Sequence, residues 1–132
     1  LRHTLPPARL SICGAPAERS IAENIVARLP EGPEGVIIGG GGLPLPRLLA
    51  LQERAHSMIS VNTGPAHSAA AMGCPLVVMF TRHAHRAADL YSPVPTTAPV
   101  RILQPELSAA NVGLSAITPS TVLAEWQALI RA

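Results

Sequence analysis

Aromatic residues are scarce in this chain: Phe80, Tyr91 and Trp126 are the only three in 132 positions. A core built with so few must be aliphatic, and the stacking platforms that single-stranded nucleic acids use are missing. Charge is sparse too, at 14% of residues, and the net excess of +2 is carried by arginine alone. That excess is too small and too scattered to make the basic stripe or patch of a nucleic-acid binder, so no nucleic acid is expected as a partner. Two cysteines, Cys13 and Cys74, make no disulfide framework. Both lie among apolar neighbours and read as buried free thiols, which fits a reducing cytoplasm. No apolar run approaches the ~20 residues of a membrane span, and no signal peptide is visible. The chain begins with Leu1 rather than Met, which is consistent with a fragment.

What is present is an aliphatic chain, 48% hydrophobic, long enough to bury a core and apolar enough to exclude disorder. We expect residues 1–132 to form a single domain. Strand and helix signals alternate along it. Ala8 to Cys13 reads as a strand closed by Gly14. From Glu18 to Leu29 the apolar residues Ile21, Ala22, Ile25, Val26 and Leu29 recur at helical spacing, and Pro30 ends the helix. Val36 to Ile38 is a second strand, followed by Gly39 to Gly42, and Leu45 to Arg54 a helix that tolerates Pro46 in its first turn. Ser57 to Val61, Leu76 to Phe80 and Val100 to Leu103 read as strands, with a short helix over Pro65 to Met72 that Gly73 suits as a C-terminal cap. Pro119 to Arg131 is a closing helix that Thr118 or Ser120 caps. Strands alternating with helices mean βαβ units and a parallel sheet. The strands are continuously apolar, as fully buried ones are. The fold class is therefore α/β, a Rossmann-like parallel sheet with helices on both faces.

Between two of those strands the chain places Asn62-Thr63-Gly64-Pro65, then Ala66, His67 and a run of small residues. In open parallel sheets ligands bind beyond the carboxyl ends of the strands, and this stretch leaves a strand and opens a helix. Pro65 suits a first helical turn because it has no N–H to leave unpaired, and Gly64 has no side chain to block a ligand. The N–H groups of Ala66 and His67, with the helix dipole, make a ready phosphate site. Thr63 adds a hydroxyl and His67 a ring donor. An ordinary helix cap is the plain alternative, since Asn, Thr and Gly precede helices for that reason alone. Glu18, which opens a helix after a strand, lies on the same kind of edge, though a carboxylate there also simply favours the helix N-terminus.

The run Ile59-Ser60-Val61-Asn62-Thr63-Gly64-Pro65-Ala66-His67-Ser68-Ala69-Ala70-Ala71, with Gly73-Cys74-Pro75 after it, resembles the signature of the glycosyltransferase family 9 heptosyltransferases. That signature is commonly written I-S-x-D-T-G-P-x-H-x-A-A-A-x-G-x-P. Ile12-Cys13-Gly14-Ala15-Pro16-Ala17-Glu18 and the Gly41-Gly42-Leu43-Pro44-Leu45 segment resemble the family's other stretches in order and spacing. The resemblance implies a GT-B architecture, in which two Rossmann-like domains face each other across a cleft. It implies inverting transfer of heptose from ADP-heptose onto the lipopolysaccharide inner core, with no cofactor and no essential metal. Carried over by motif, Asn62, Thr63, Gly64, Pro65, Ala66 and His67 would contact the diphosphate and sugar, and Glu18 would lie near the ribose or base. The catalytic base would belong to an N-terminal domain outside these 132 residues, making this chain the donor-binding half. The location implied is cytoplasmic and peripheral to the inner membrane, and an exposed interdomain face could pair two copies.

Two departures stand out. Asn62 replaces the family's usual Asp and keeps hydrogen bonding without the charge, and Thr81-Arg82-His83 replaces a Gly-Pro-Thr loop. Those changes leave open a second reading, a degenerate module that binds a nucleotide or a protein without chemistry. His83 and His85 lack a third ligand in the sequence around them, which is poor evidence for zinc, and read as part of a solvated basic loop with Arg82 and Arg86. Gly39 to Gly42 is not a P-loop, because no Gly-Lys-Ser/Thr follows.

Overall fold

The computed structural model describes residues 9–29, 36–38, 43–81, 92–106 and 113–132, and of 36–38 the backbone alone. The expectations for Gly39 to Gly42 and for Arg82, His83, His85 and Arg86 lie outside the described residues. The chain divides into two compact units, Leu1–Leu48 and Leu49–Ala132.

In the first unit β1 (Leu10–Ile12) pairs in parallel with β2 (Val36–Ile38), Leu10 opposite Val36. After β1 a 3-10 turn over Pro16–Glu18 runs into α1 (Arg19–Ala27). The helical spacing is real, but only Ala22 and Val26 of its stripe are buried; Ile21 and Ile25, expected inside, are exposed. Arg19 and Glu23 form an exposed i,i+4 pair, of the kind that contributes a few tenths of a kcal/mol, roughly 0.3–0.5. Cys13 is also exposed, against expectation. The ladder ends at Ile12, one residue short of the expected strand, so the thiol lies beyond the pairing that would enclose it.

Helix α2 (Leu45–Arg54) has the bounds the sequence predicts. The Pro44 carbonyl accepts its first bonds, from Arg47 and Leu48 N–H at 2.9 and 3.1 Å, which leaves Pro46 where its missing N–H costs nothing.

The second unit carries β3 (Met58–Val61), β4 (Leu76–Met79) and β5 (Val100–Leu103) in one parallel sheet, order β3-β4-β5. Continuous burial holds for the central strand: Leu76, Val77 and Val78 expose nothing. It fails in the two strands that flank it, where Val61 and Ile102 are exposed. Helix α3 (Gly64–Ala71) packs on β3 and β4, and α4 (Pro119–Arg131) on β4 and β5. Alternation along β4 explains the two layers. Leu76 and Val78 join Ala66, Ala69, Ala70, Cys74 and Phe80 in one cluster on the α3 side. Val77 points the other way and is equally buried.

Both helices are ended by local chemistry. Gly73 has φ 74°, the left-handed conformation glycine adopts without penalty. Gly73 N–H bonds the Ala70 carbonyl at 3.1 Å and Cys74 N–H the Ala69 carbonyl at 2.9 Å, the paired bonds of a Schellman cap. Any side chain at Gly73 would also run into Thr97 Oγ1. Thr96 Oγ1 donates to the Ala70 carbonyl at 2.8 Å, a further bond at this helix end. Of the two caps considered for α4, Thr118 is the one used, accepting from Thr121 N–H at 3.2 Å. Trp126, 3% exposed, donates through Nε1 to Ser57 Oγ at 2.9 Å and ties α4 to the entry of β3. His56, just past the end of α2, turns its Nδ1 to Ser57 Oγ at 3.3 Å. Arg101 of β5 pairs with Glu125 of α4.

The two thiols differ in a measurable way. Burial pushes the Cys74 thiol above its ordinary value. The folded chain therefore holds this proton where the unfolded chain has released it. Stability from this source is complete below the unfolded thiol's pKa, about 8.5, and falls as pH rises above it. Urea midpoints between about pH 8 and 10 should fall, and Cys74→Ala should flatten that slope. A thiol reagent should label Cys13 at once in the native chain, and Cys74 only after denaturation.

Candidate functional site

The carboxyl end of β3 delivers the chain to the sheet edge on which a ligand can lie. Asn62 is still held by the ladder: its N–H bonds the Met79 carbonyl at 3.1 Å. Thr63 then swings to extended backbone, φ −142° and ψ 174°, as the residue before α3. Its hydroxyl caps nothing; the contact it makes is a long one, 3.4 Å, to the Val61 carbonyl. Helix α3 thus starts without the side-chain cap that the plain reading of this stretch requires.

Its backbone donors also differ from expectation. Ala66 N–H turns inward to the Thr63 carbonyl at 3.0 Å, and His67 N–H approaches the same oxygen at 3.5 Å. Ala66 itself exposes nothing. Pro65 has no donor. The first-turn N–H left without an acceptor among the described residues is that of Gly64, two positions before Ala66, the first of the expected donors. The physical reason is that α3 begins at Gly64 rather than Pro65, so the tight first turn uses up the donors at Ala66 and His67.

Two further observations converge on the same three residues. A Cβ built on Gly64 would meet nothing within 4 Å, and its φ is not positive, so neither packing nor backbone strain demands glycine there. Asn62 Oδ1 is buried and accepts no hydrogen bond from a described residue. A buried acceptor left unpaired costs roughly 1–3 kcal/mol. Phosphate oxygens cannot supply the missing donor, whereas a hydroxyl can. His67 is exposed, and its ring has no partner among the described residues.

Behind these residues lies a group the sequence reading missed. Gln52 of α2, 2% exposed, is the one buried polar side chain among the described residues. Its Nε2 donates to the Pro65 carbonyl at 2.8 Å, and its Oε1 accepts from Ser68 Oγ at 2.8 Å. The signal was available: Gln52 falls on the stripe of Leu45, Leu48 and Leu49, at helical spacing on the apolar side.

Glu18, also singled out, belongs to the first unit. Its carboxylate folds back to accept Ala15 N–H at 2.7 Å. A Cβ at Gly14 would meet Glu18 Oε2 at 2.7 Å, so that glycine makes room for the turn. Among the described residues no three His, Cys, Asp or Glu side chains cluster as metal ligands would, and no helix is long and apolar enough to cross a membrane.

Gly64→Ala separates ligand space from folding. With open space and an ordinary φ, the variant should fold and be unchanged or more stable by about 0.4–1 kcal/mol, read from urea denaturation. A loss of stability would mean that the glycine serves the fold.

The family model for glycosyltransferase family 9 (heptosyltransferase) matches residues 9–111. A solved structure, a glycosyl transferase family 9 protein from Veillonella parvula DSM 2008, superposes with a TM-score of 0.78 at 20% identity. The match covers 93% of this chain and 36% of that one, so the chain spans about a third of that protein's length. No curated protein matches. With four-fifths of its residues inside the family match and the family's α/β fold in its structure, the chain belongs to glycosyltransferase family 9.

Proposed function

We propose that this chain is the nucleotide-sugar-binding half of a GT-B glycosyltransferase. In this reading residues 1–132 act as one Rossmann-like donor domain beside an acceptor domain. The observation that carries the reading is the buried Asn62 Oδ1, without a partner among the described residues, next to the open face of Gly64. An acceptor awaiting a donor beside a backbone N–H awaiting an acceptor suits a ligand with both hydroxyl and phosphate groups. A sugar nucleotide has both.

Gly64 N–H, the Thr63 hydroxyl and the exposed His67 ring would hold the diphosphate, and Asn62 Oδ1 would take a hydroxyl of the sugar. In the transfer, an acceptor hydroxyl attacks the anomeric carbon from the far side. The carbon–oxygen bond to the diphosphate breaks, and the hydroxyl proton passes to a general base. That base would come from the acceptor domain. Donors already aimed at the diphosphate stabilise the charge it gains as it departs. The family's name favours a heptose as the sugar transferred; ADP-heptose as donor and the lipopolysaccharide inner core as acceptor, at the cytoplasmic face of the inner membrane, are what the motif resemblance implies.

Isothermal titration with ADP, UDP and ADP-heptose tests the reading. The chain should bind at least one of them, and Gly64→Ala and His67→Ala should each weaken binding about tenfold, or ~1.4 kcal/mol. A folded chain that binds none of the three would contradict a donor site.

A further inference from the structure

We propose that Gln52 is the positioning residue of this site: it sets the first turn of α3 and, through it, the Gly64 N–H. The inference rests on the donor-site reading for its functional part, and on geometry for the rest. A helix start is normally fixed by a side chain that accepts its first N–H groups. Helix α3 has no such cap. Its first turn is held instead from the carbonyl side, where Gln52 Nε2 donates to the Pro65 oxygen at 2.8 Å. That arrangement leaves the Gly64 N–H without an acceptor among the described residues and Thr63 Oγ1 with only its long contact to the Val61 carbonyl.

The bonds also run in series. The Pro65 carbonyl and the Ala66 N–H belong to one peptide unit, and Ala66 N–H donates to Thr63 C=O at 3.0 Å. Thr63 C=O and Gly64 N–H are the next peptide unit. A donor from Gln52 therefore polarises Pro65–Ala66, which polarises Thr63–Gly64, and ends at an N–H with no acceptor among the described residues. Hydrogen bonds in such a chain strengthen one another. The amide of Gln52 is itself fixed, because Ser68 occupies its oxygen and Met58 Sδ lies 3.7 Å from its nitrogen. Burial at 2% exposure keeps water from competing for it.

Gln52→Met keeps the volume and removes both polar atoms. Ser68→Ala is the milder variant, should Gln52→Met fold poorly. Trp126→Phe is the control, removing an unrelated buried bond in the same unit. In the uniformly labelled chain, the Gly64 amide proton should move upfield in Gln52→Met, less in Ser68→Ala, and not in Trp126→Phe. Affinity for ADP, or for UDP if that is what binds, should fall about 3–10-fold in Gln52→Met, the worth of one hydrogen bond. It should hold in Trp126→Phe. An unmoved Gly64 amide in folded Gln52→Met overturns the proposal, as does an equal loss of affinity in the control. If the unaltered chain binds neither nucleotide, the donor-site reading fails, and the Gly64 shift alone decides whether Gln52 sets this turn.

Discussion

The placement of α3 is the constraint on which the sheet edge depends. Ala66 and Ala69 expose nothing and Ala70 only 2%, at positions i, i+3 and i+4 of a single helix face. Side chains this small bring the helix backbone close to β4, where a larger residue would force it outward. The opposite constraint is polar: a buried amide on the Pro65 carbonyl. Between an apolar wall and one fixed hydrogen bond, the first turn has little freedom. A short helix cannot hold such a position by itself, since most helical stability comes from tertiary packing.

That rigidity matters because the groups facing outward are not otherwise anchored. Among the described residues Thr63 has one long contact, Gly64 has open space beside it, and Asn62 carries an unsatisfied oxygen. In a region selected for stability alone, each would have been resolved: a Thr63 cap, an alanine at 64, an apolar residue at 62. Three local rules broken in three consecutive residues, beside a helix whose other end is capped with care, is the pattern expected where function competes with folding. Asn in place of the family's usual Asp fits the same picture. A buried carboxylate without a cation would be far costlier than a buried amide.

Much of this was legible in the sequence. Elements β2, α2, β5 and α4 have the predicted bounds, because periodicity and proline positions define them locally. The motif from Asn62 to His67 was legible as a binding edge for the same reason. What escaped was non-local. Ile21, Ile25 and Cys13 were read as buried from their apolar character, but exposure depends on what packs against them. The donors at Ala66 and His67 were read as free, when a one-residue shift in the helix start turns both inward. Gln52 was passed over because its partners lie 13 and 16 residues away, where no window of local pattern reaches.

The most direct test is to follow the backbone amides of the labelled chain while ADP or UDP is added. A donor site predicts that Gly64 and Thr63 shift first and furthest, with Gly64 moving downfield as its N–H meets a phosphate oxygen. Ala66, already bonded inside the turn, should respond less. Saturable binding that leaves Gly64 unmoved, or perturbs residues scattered over the chain instead, would contradict a donor site at this edge.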